Sequence, residues 1–302
     1  MRLAVTGASG FVGRAVVALA ASERADVRGL VRSDDSARAV AQAGGTAVGV
    51  RGLDEAELAR AFEGADAVVH LAQVGSERGE ATYADVNVGG TRRVVGAARS
   101  AGVRRVVMFS GLGVAHYGMS ARCTNPYFLS KLLAEAALFE SGLEAAVFRP
   151  SYIVGPGDGY VPGMVRDMAR GEVEQVGDGA YRMQPIAVQD AAACVVAAAV
   201  GTLSGHRAFD LVGPEPIACR ALVERVARLA NAAGKARGFR LREIPVAEAE
   251  RAARGAGYRG MFADELDCLL CDEVGDPRPL EALLGRSLTA LDDALAAAIG
   301  CA

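Results

Sequence analysis

Tryptophan is absent from this 302-residue chain, and aromatic residues of all kinds make up only 5% of it. Few large aromatic anchors are therefore expected in the core. Charge of one sign is not in excess either. Lys and Arg number 33 against 36 Asp and Glu, a net charge of −3, so neither a nucleic-acid groove nor attraction to an anionic membrane is implied. Long apolar runs are missing. The longest uncharged one, Ala191 to Val200, is about half of the roughly 20 residues that a membrane span needs. No charged-then-apolar leader precedes Met1 to Thr6, which already reads as a strand. The six cysteines (Cys123, Cys194, Cys219, Cys268, Cys271 and Cys301) are spaced unevenly, as free thiols in a reducing cytoplasm would be. The expectation is a soluble, cytoplasmic protein with no nucleic-acid or membrane partner. Lysine is almost lacking: only Lys131 and Lys235 occur among the 33 basic residues. A lysine here looks selected.

What is present is alanine and alternation. Hydrophobic residues make up 51%, much of it alanine, which favours closely packed helices. Strand-like runs at Leu3–Thr6, Val27–Val31, Thr46–Val50, Ala67–Leu71, Arg105–Phe109 and Ala145–Phe148 alternate with helical stretches. The helices fall near Val12–Ala21, Asp35–Gln42, Glu55–Phe62, Val86–Ala101 and Pro126–Ser141. Successive βαβ units of this kind predict an α/β fold, a Rossmann-type doubly wound parallel sheet. After Arg149 the rhythm breaks at Gly155-Pro156-Gly157-Asp158-Gly159 and Val161-Pro162-Gly163, which read as loop. We therefore divide the chain into a dinucleotide-binding domain, residues 1–150, and a smaller C-terminal substrate lobe, residues 151–302, partly interleaved with it. Late strands are expected at Ala208–Val212 and Gln184–Val188, and helices at Asp190–Val200, Ile217–Ala233 and Leu288–Ile299. Gly234 to Gly260, rich in Arg, Gly and Ala, reads as partly irregular. No internal repeat is evident.

The first βα junction reads Thr6-Gly7-Ala8-Ser9-Gly10-Phe11-Val12-Gly13. Gly7 permits a tight turn, Gly10 lets backbone approach a pyrophosphate, and Gly13 lets helix pack on sheet, while the helix N-terminus offers N–H groups to the anion. Candidate cofactor contacts are Gly7, Ser9, Gly10, Phe11, Val12 and Gly13, with Leu71 and Ala72 after the fourth strand and Pro150 after the sixth. The second strand ends Leu30-Val31-Arg32-Ser33. An acid there would hold a ribose diol, whereas Arg32 can clamp a 2′-phosphate, so NADP(H) is favoured with NAD(H) as the alternative. On the other reading, Arg32 is a solvated strand end and Asp34 or Asp35 takes the diol. Arg14 could assist. Arg51 is either a second phosphate contact or a surface residue.

These motifs continue in order: Ala67-Val68-Val69-His70-Leu71-Ala72, Asn87-Val88-Gly89-Gly90-Thr91, Tyr127-Phe128-Leu129-Ser130-Lys131, Arg149-Pro150-Ser151 and Gly155-Pro156-Gly157-Asp158. The series resembles the short-chain dehydrogenase/reductase superfamily in its extended and atypical branches. These hold the epimerase/dehydratase-like proteins and the nucleotide-binding accessory subunit of respiratory complex I.

Tyr127 and Lys131, four apart on a predicted helix, share a face, and an ammonium beside a phenol favours phenolate. The resemblance implies that Tyr127 exchanges the proton on the substrate oxygen while Lys131 also holds the nicotinamide ribose. It makes Asn87 a further catalytic candidate, with a structural role preferred. It also implies a Ser or Thr where the run Phe109-Ser110-Gly111-Leu112-Gly113 has Leu112. Ser110 reads as too deep to substitute, and His116 or Thr124 could supply the donor instead. His70 reads as a packed histidine. Cys268-Leu269-Leu270-Cys271 lacks the third and fourth ligands of a metal site and is expected on a helix with both thiols toward the core; no metal is expected.

The leading function is therefore hydride transfer between NADP(H) and a carbonyl or alcohol whose identity the sequence does not reveal. The alternatives are a non-catalytic NADP(H)-binding sensor or assembly subunit, and an epimerase or dehydratase. Resemblance also implies a homodimer through the helices at Val86–Ala101 and Pro126–Ser141.

Overall fold

A computed structural model describes residues 1–201 and 205–300. Six parallel strands, β1 (Arg2–Thr6), β2 (Asp26–Val31), β3 (Thr46–Gly49), β4 (Ala67–His70), β5 (Arg105–Phe109) and β6 (Glu144–Pro150), follow one another along the first half of the chain. A seventh, His206–Leu211, pairs in parallel with β6. The spatial order is His206–Leu211, β6, β5, β4, β1, β2, β3, which reverses direction between β1 and β4 and opens a crevice at their carboxyl ends.

Between the strands lie α1 (Phe11–Ser22), α2 (Asp34–Gln42), α3 (Glu55–Phe62), α4 (Gly90–Ser100) and α5 (Pro126–Phe139). Two hydrophobic layers sandwich the sheet. On one face Val16, Val17 and Ala20 of α1 join Ala191, Val195 and Ala198 of the helix Val188–Val200. On the other, Leu58, Val94, Ala134 and Leu138 come from α3, α4 and α5. Alanine and valine let the helix Val188–Val200 lie close against α1.

Three expectations are corrected. The helix expected from Val86 is a π-helix, Tyr83–Gly89, capped by the Thr82 hydroxyl and followed by α4; π-turns inside helices are frequent at functional sites. Val161-Pro162-Gly163 belongs to a helix, Tyr160–Ala169, because a proline in the first turn sacrifices no intrahelical bond. Within 234–260 lie a strand, Arg240–Ile244, paired in parallel with Glu172–Val176, and a helix, Val246–Arg254. No helix among the described residues is long and apolar enough to cross a membrane, and Cys301 lies outside them.

Candidate active site

The turn from β1 into α1 is built on two glycines with no room for a side chain. Gly7 has φ +70°, and a Cβ there would sit 2.8 Å from the Ala72 amide nitrogen; a Cβ on Gly13 would sit 2.1 Å from the Gly7 carbonyl oxygen. Gly10 is the N-cap of α1 and supplies no side-chain cap, so the first N–H groups of the helix are left for another partner. Beside them lies a cavity of about 500 Å³ lined by Gly7, Ser9, Gly10, Arg32, Leu71 and Ala72, among others.

Phe11, Val12 and Gly13 do not line this cavity, although the sequence reading grouped them with the others. Val12 packs on the hydrophobic layer, Gly13 is spent on the contact with Gly7, and Phe11 faces Gly157 together with Arg14. Arg14 is thus directed to the Gly157 loop rather than to Arg32. Arg32 is exposed and has no ion-pair partner among the described residues. Arg51, by contrast, is bound to Glu57, Nε to Oε1 at 2.7 Å, and Asp54 is engaged as the N-cap of α3. Asp34 and Asp35 form the first turn of α2, Asp35 paired with Arg38.

A network of polar side chains backs this cavity. Gln73 lines it, and its Oε1 accepts from Lys131 Nζ, which also donates to the Phe109 carbonyl at 2.8 Å. Burial pushes the Lys131 ammonium down to about 7, partly opposed by Glu135. Asn87 holds the backbone of the same segment. Its Oδ1 accepts from the Val74 amide at 2.9 Å, and its Nδ2 donates to the Val74 carbonyl and to Ser130 Oγ of α5, each at 3.0 Å. Both amide hydrogens are therefore committed to fixing the loop after β4 against α5. His70 is enclosed between the Thr6 and Thr91 hydroxyls; burial, and secondarily Lys131, hold it down at about 3.

The second cavity, about 260 Å³, is lined by Tyr127, Gly111, Pro150, Ser151, Tyr152 and Glu273, among others. The expectation that Lys131 lowers the Tyr127 phenol is overturned here. Nζ is committed to Gln73 and Phe109, and burial, with the nearby Cys268 and Glu273, raises the phenol above its ordinary value. Leu112 is fully buried and does not line the cavity. Neither do His116 or Thr124; the Thr124 hydroxyl is turned to the Ala121 carbonyl at 2.6 Å. Ser110 Oγ is buried without a partner among the described residues.

Residues 250–267 are fastened to the start of α5. Arg122 reaches Glu250 at 2.9 Å and Asp267 at 2.7 Å, and Asn125, the N-cap of α5, donates to the Asp264 carbonyl at 3.4 Å. From the other side Arg149 makes a bidentate pair with Glu135 of α5, at 2.9 and 2.6 Å. The expected cysteine helix is shorter than supposed: Ala263–Leu269 includes Cys268 but ends before Cys271, whose Sγ lies 3.5 Å from that of Cys123. No cluster of three or more His, Cys, Asp or Glu suited to a metal occurs among the described residues. A third cavity, about 360 Å³, shares Tyr152 and Glu265 with the second and adds Tyr160, Tyr181, Tyr258 and Met164.

Neither Gln73 nor Glu273 was identified from sequence. Glu273 lies 146 positions from Tyr127, and only the fold brings them to one cavity.

Comparison with known proteins gives the family and the fold. The model of the NAD dependent epimerase/dehydratase family matches residues 3–209. The uncharacterized sugar epimerase YhfK of Bacillus subtilis is 30% identical over 224 residues, covering 72% of this chain and 97% of YhfK. The 2-alkyl-3-oxoalkanoate reductase of Stenotrophomonas maltophilia is 28% identical over 258 residues, covering 75% and 74% of the two chains. Among solved structures, MoeE5 in complex with UDP-glucose and NAD superposes with a TM-score of 0.76 at 22% identity, over 100% of this chain and 98% of MoeE5.

Proposed function

The chain belongs to the NAD dependent epimerase/dehydratase family, and on that footing we propose that it is an oxidoreductase moving a hydride to or from a carbonyl or alcohol carbon, with NADP(H) as its favoured cofactor. The observation that carries this reading is the glycine-turn cavity, whose Gln73 holds Lys131 of α5, the helix that also places Tyr127 on the wall of the second cavity. A dinucleotide fits the first cavity. Its wall at Gly7 tolerates no Cβ, the start of α1 is uncapped, and Arg32 stands without an ion-pair partner among the described residues. The pyrophosphate would lie on Gly7, Ser9 and Gly10, Arg32 would meet a 2′-phosphate, and Lys131 would reach the nicotinamide ribose. When bound, such a cofactor supplies or takes the hydride.

The protein's own part is the proton. A buried phenol with a raised pKa is fully protonated at neutral pH, so Tyr127 suits donation to an oxygen that gains charge, which is the direction of carbonyl reduction. The aromatic third cavity would hold the body of the substrate. Similarity to a sugar epimerase favours a second reading, a nucleotide sugar. The lining speaks against it. Asp167, Glu174 and Glu265 face that cavity, and Arg259, its one arginine among the described residues, is already paired with Asp167 and Glu174, so no described residue of the lining offers a free cation to a diphosphate.

A panel of uncharged ketones and aldehydes incubated with NADPH, followed by the absorbance of the reduced nicotinamide, tests the reading. Oxidation of NADPH by members of the panel is expected. Inertness toward the whole panel, with epimerisation of a nucleotide sugar, would transfer the assignment to the second reading. Cofactor choice has its own test. Calorimetric titration is expected to give several-fold tighter binding of NADP(H) than NAD(H), and Arg32→Ala is expected to erase the difference. A preference that survives Arg32→Ala would remove Arg32 from the site.

A further inference from the structure

None of the hydroxyls considered as replacements for the one missing at Leu112 lines the Tyr127 cavity. Leu112 is buried away from it, Thr124 and His116 lie outside its lining, and Ser110 is enclosed in the sheet edge. Ser151 does line it, yet its hydroxyl already donates to the Glu273 carbonyl at 3.0 Å and accepts from the Gln184 amide at 3.1 Å. Of the other polar side chains in the lining, Glu265 already accepts from the Phe262 amide at 2.9 Å and Tyr152 is shared with the third cavity, whereas the carboxyl of Glu273 belongs to this cavity and is uncommitted among the described residues. Its backbone is fixed, the amide donating to the Arg182 carbonyl at 2.8 Å and the carbonyl accepting from Ser151. The residue is only 7% exposed, and its side chain has neither hydrogen-bond nor ion-pair partner among the described residues. A buried ionised carboxylate without a cation is costly, and such a group stays neutral. A neutral carboxylic acid is a hydrogen-bond donor.

We propose that Glu273, as the carboxylic acid, donates the second hydrogen bond to the substrate carbonyl oxygen and fills the role that Leu112 leaves vacant. This rests on the oxidoreductase reading above. In reduction the carbonyl carbon gains a hydride and the C=O π pair moves to oxygen, which takes the proton of Tyr127. Tyr127 is reprotonated from solvent. Glu273 keeps its proton throughout and stabilises the developing oxyanion. The groups facing it are Tyr127 of α5, Tyr152 after β6, and Cys268 and Glu265 on the helix Ala263–Leu269, with Cys271 close by. Its neighbour Asp272 is paired with Arg182. None of these brings an unpaired positive charge, and burial pushes the Glu273 carboxyl up to about 8.

Two variants test this. Glu273→Ala is expected to lower turnover by ~10²–10³, the usual effect of deleting an oxyanion donor, with dinucleotide affinity unchanged because the residue lies outside the first cavity. Glu273→Gln, whose amide N–H still donates, should keep more than about a tenth of the rate. Wild-type kcat/KM should fall as pH rises through about 8, since the donor is the protonated form, and Glu273→Gln should lack that limb. Lys131, held near 7, titrates in both proteins and so cancels in the comparison.

A readout without cofactor is available in thermal stability. A folded-state pKa above the unfolded value means that the native protein holds an extra proton between the two, so stability falls across that window. The melting temperature of wild type relative to Glu273→Gln should therefore drop between the ordinary carboxyl pKa of 4.5 and about 8, and level off above. If wild type oxidises NADPH while both variants retain its rate and its alkaline limb, or if the stability difference is flat with pH, the proposal is overturned and the oxidoreductase reading stands. If wild type reduces no carbonyl, that reading fails and takes the proposal with it.

Discussion

Tyr127→Phe is expected to cut turnover by ~10²–10⁴, the range for loss of a positioned general acid, while dinucleotide affinity holds. The ring stays packed between Tyr83 and Phe128, with centroids 5.8 and 5.3 Å away, so only the hydroxyl is lost. Lys131→Ala should behave differently. It removes the bond to Gln73, which lines the dinucleotide cavity, and the bond to the Phe109 carbonyl at the end of β5, so affinity and rate should both decline. Stopped-flow transients with NADPH, set beside equilibrium titrations, separate the two patterns. A Tyr127→Phe protein that turns over at the wild-type rate would place the proton donor elsewhere. Leu112→Ser, in contrast, should bring no gain in rate, because that side chain is buried away from the cavity.

The second large effect belongs to Gly13. A single methyl group in Gly13→Ala would lie 2.1 Å from the Gly7 carbonyl oxygen and 2.9 Å from the Ala8 backbone. Neither contact is with a flexible side chain, so α1 must shift away from β1 or the Gly7 turn must open. Overpacking of this kind costs about 1–3 kcal/mol in stability. The larger consequence is for the ligand, since the displaced turn carries the N–H groups left uncapped at the start of α1. Saturable NADP(H) binding should be lost in calorimetry while circular dichroism retains the α/β spectrum. Undiminished binding by Gly13→Ala would mean that the dinucleotide does not sit on this turn.

All seven strands of the main sheet, the last as Ala208–Val212, and the five helices between the first six could be read from sequence because short apolar runs and longer helical stretches alternate between turn formers. The lobe strands escaped notice for a physical reason. Glu172–Val176 and Arg240–Ile244 alternate charged with apolar residues in a two-stranded sheet with one covered face, a pattern that also suits an exposed loop. Pro162 and Gly163 carry the same ambiguity, because a first-turn proline and a loop proline look alike in one dimension. For the site, short spacing was sufficient to bring Tyr127 and Lys131 together and to order the glycines. The direction of the Tyr127 shift was not legible. It comes first from burial of the ring, with Cys268 and Glu273 nearby, while Lys131 Nζ is held by Gln73 and Phe109 instead. Glu273, in an acidic stretch after Cys271, carried no local sign of its role.

The strand His206–Leu211 and the helix Val188–Val200 return from the later half of the chain to complete the earlier one. Each repairs a different exposure. The strand occupies the free edge of β6, and the helix covers the apolar side of α1. A fragment ending at Arg149 would present a bare parallel edge of backbone donors and acceptors beside uncovered Val16, Val17 and Ala20, a template for pairing with other chains. It should accumulate as aggregate, where the intact chain stays dispersed in light scattering. Attempts to isolate the nucleotide-binding half, or to graft a new lobe onto it, therefore need a junction that keeps residues 188–211 with the sheet.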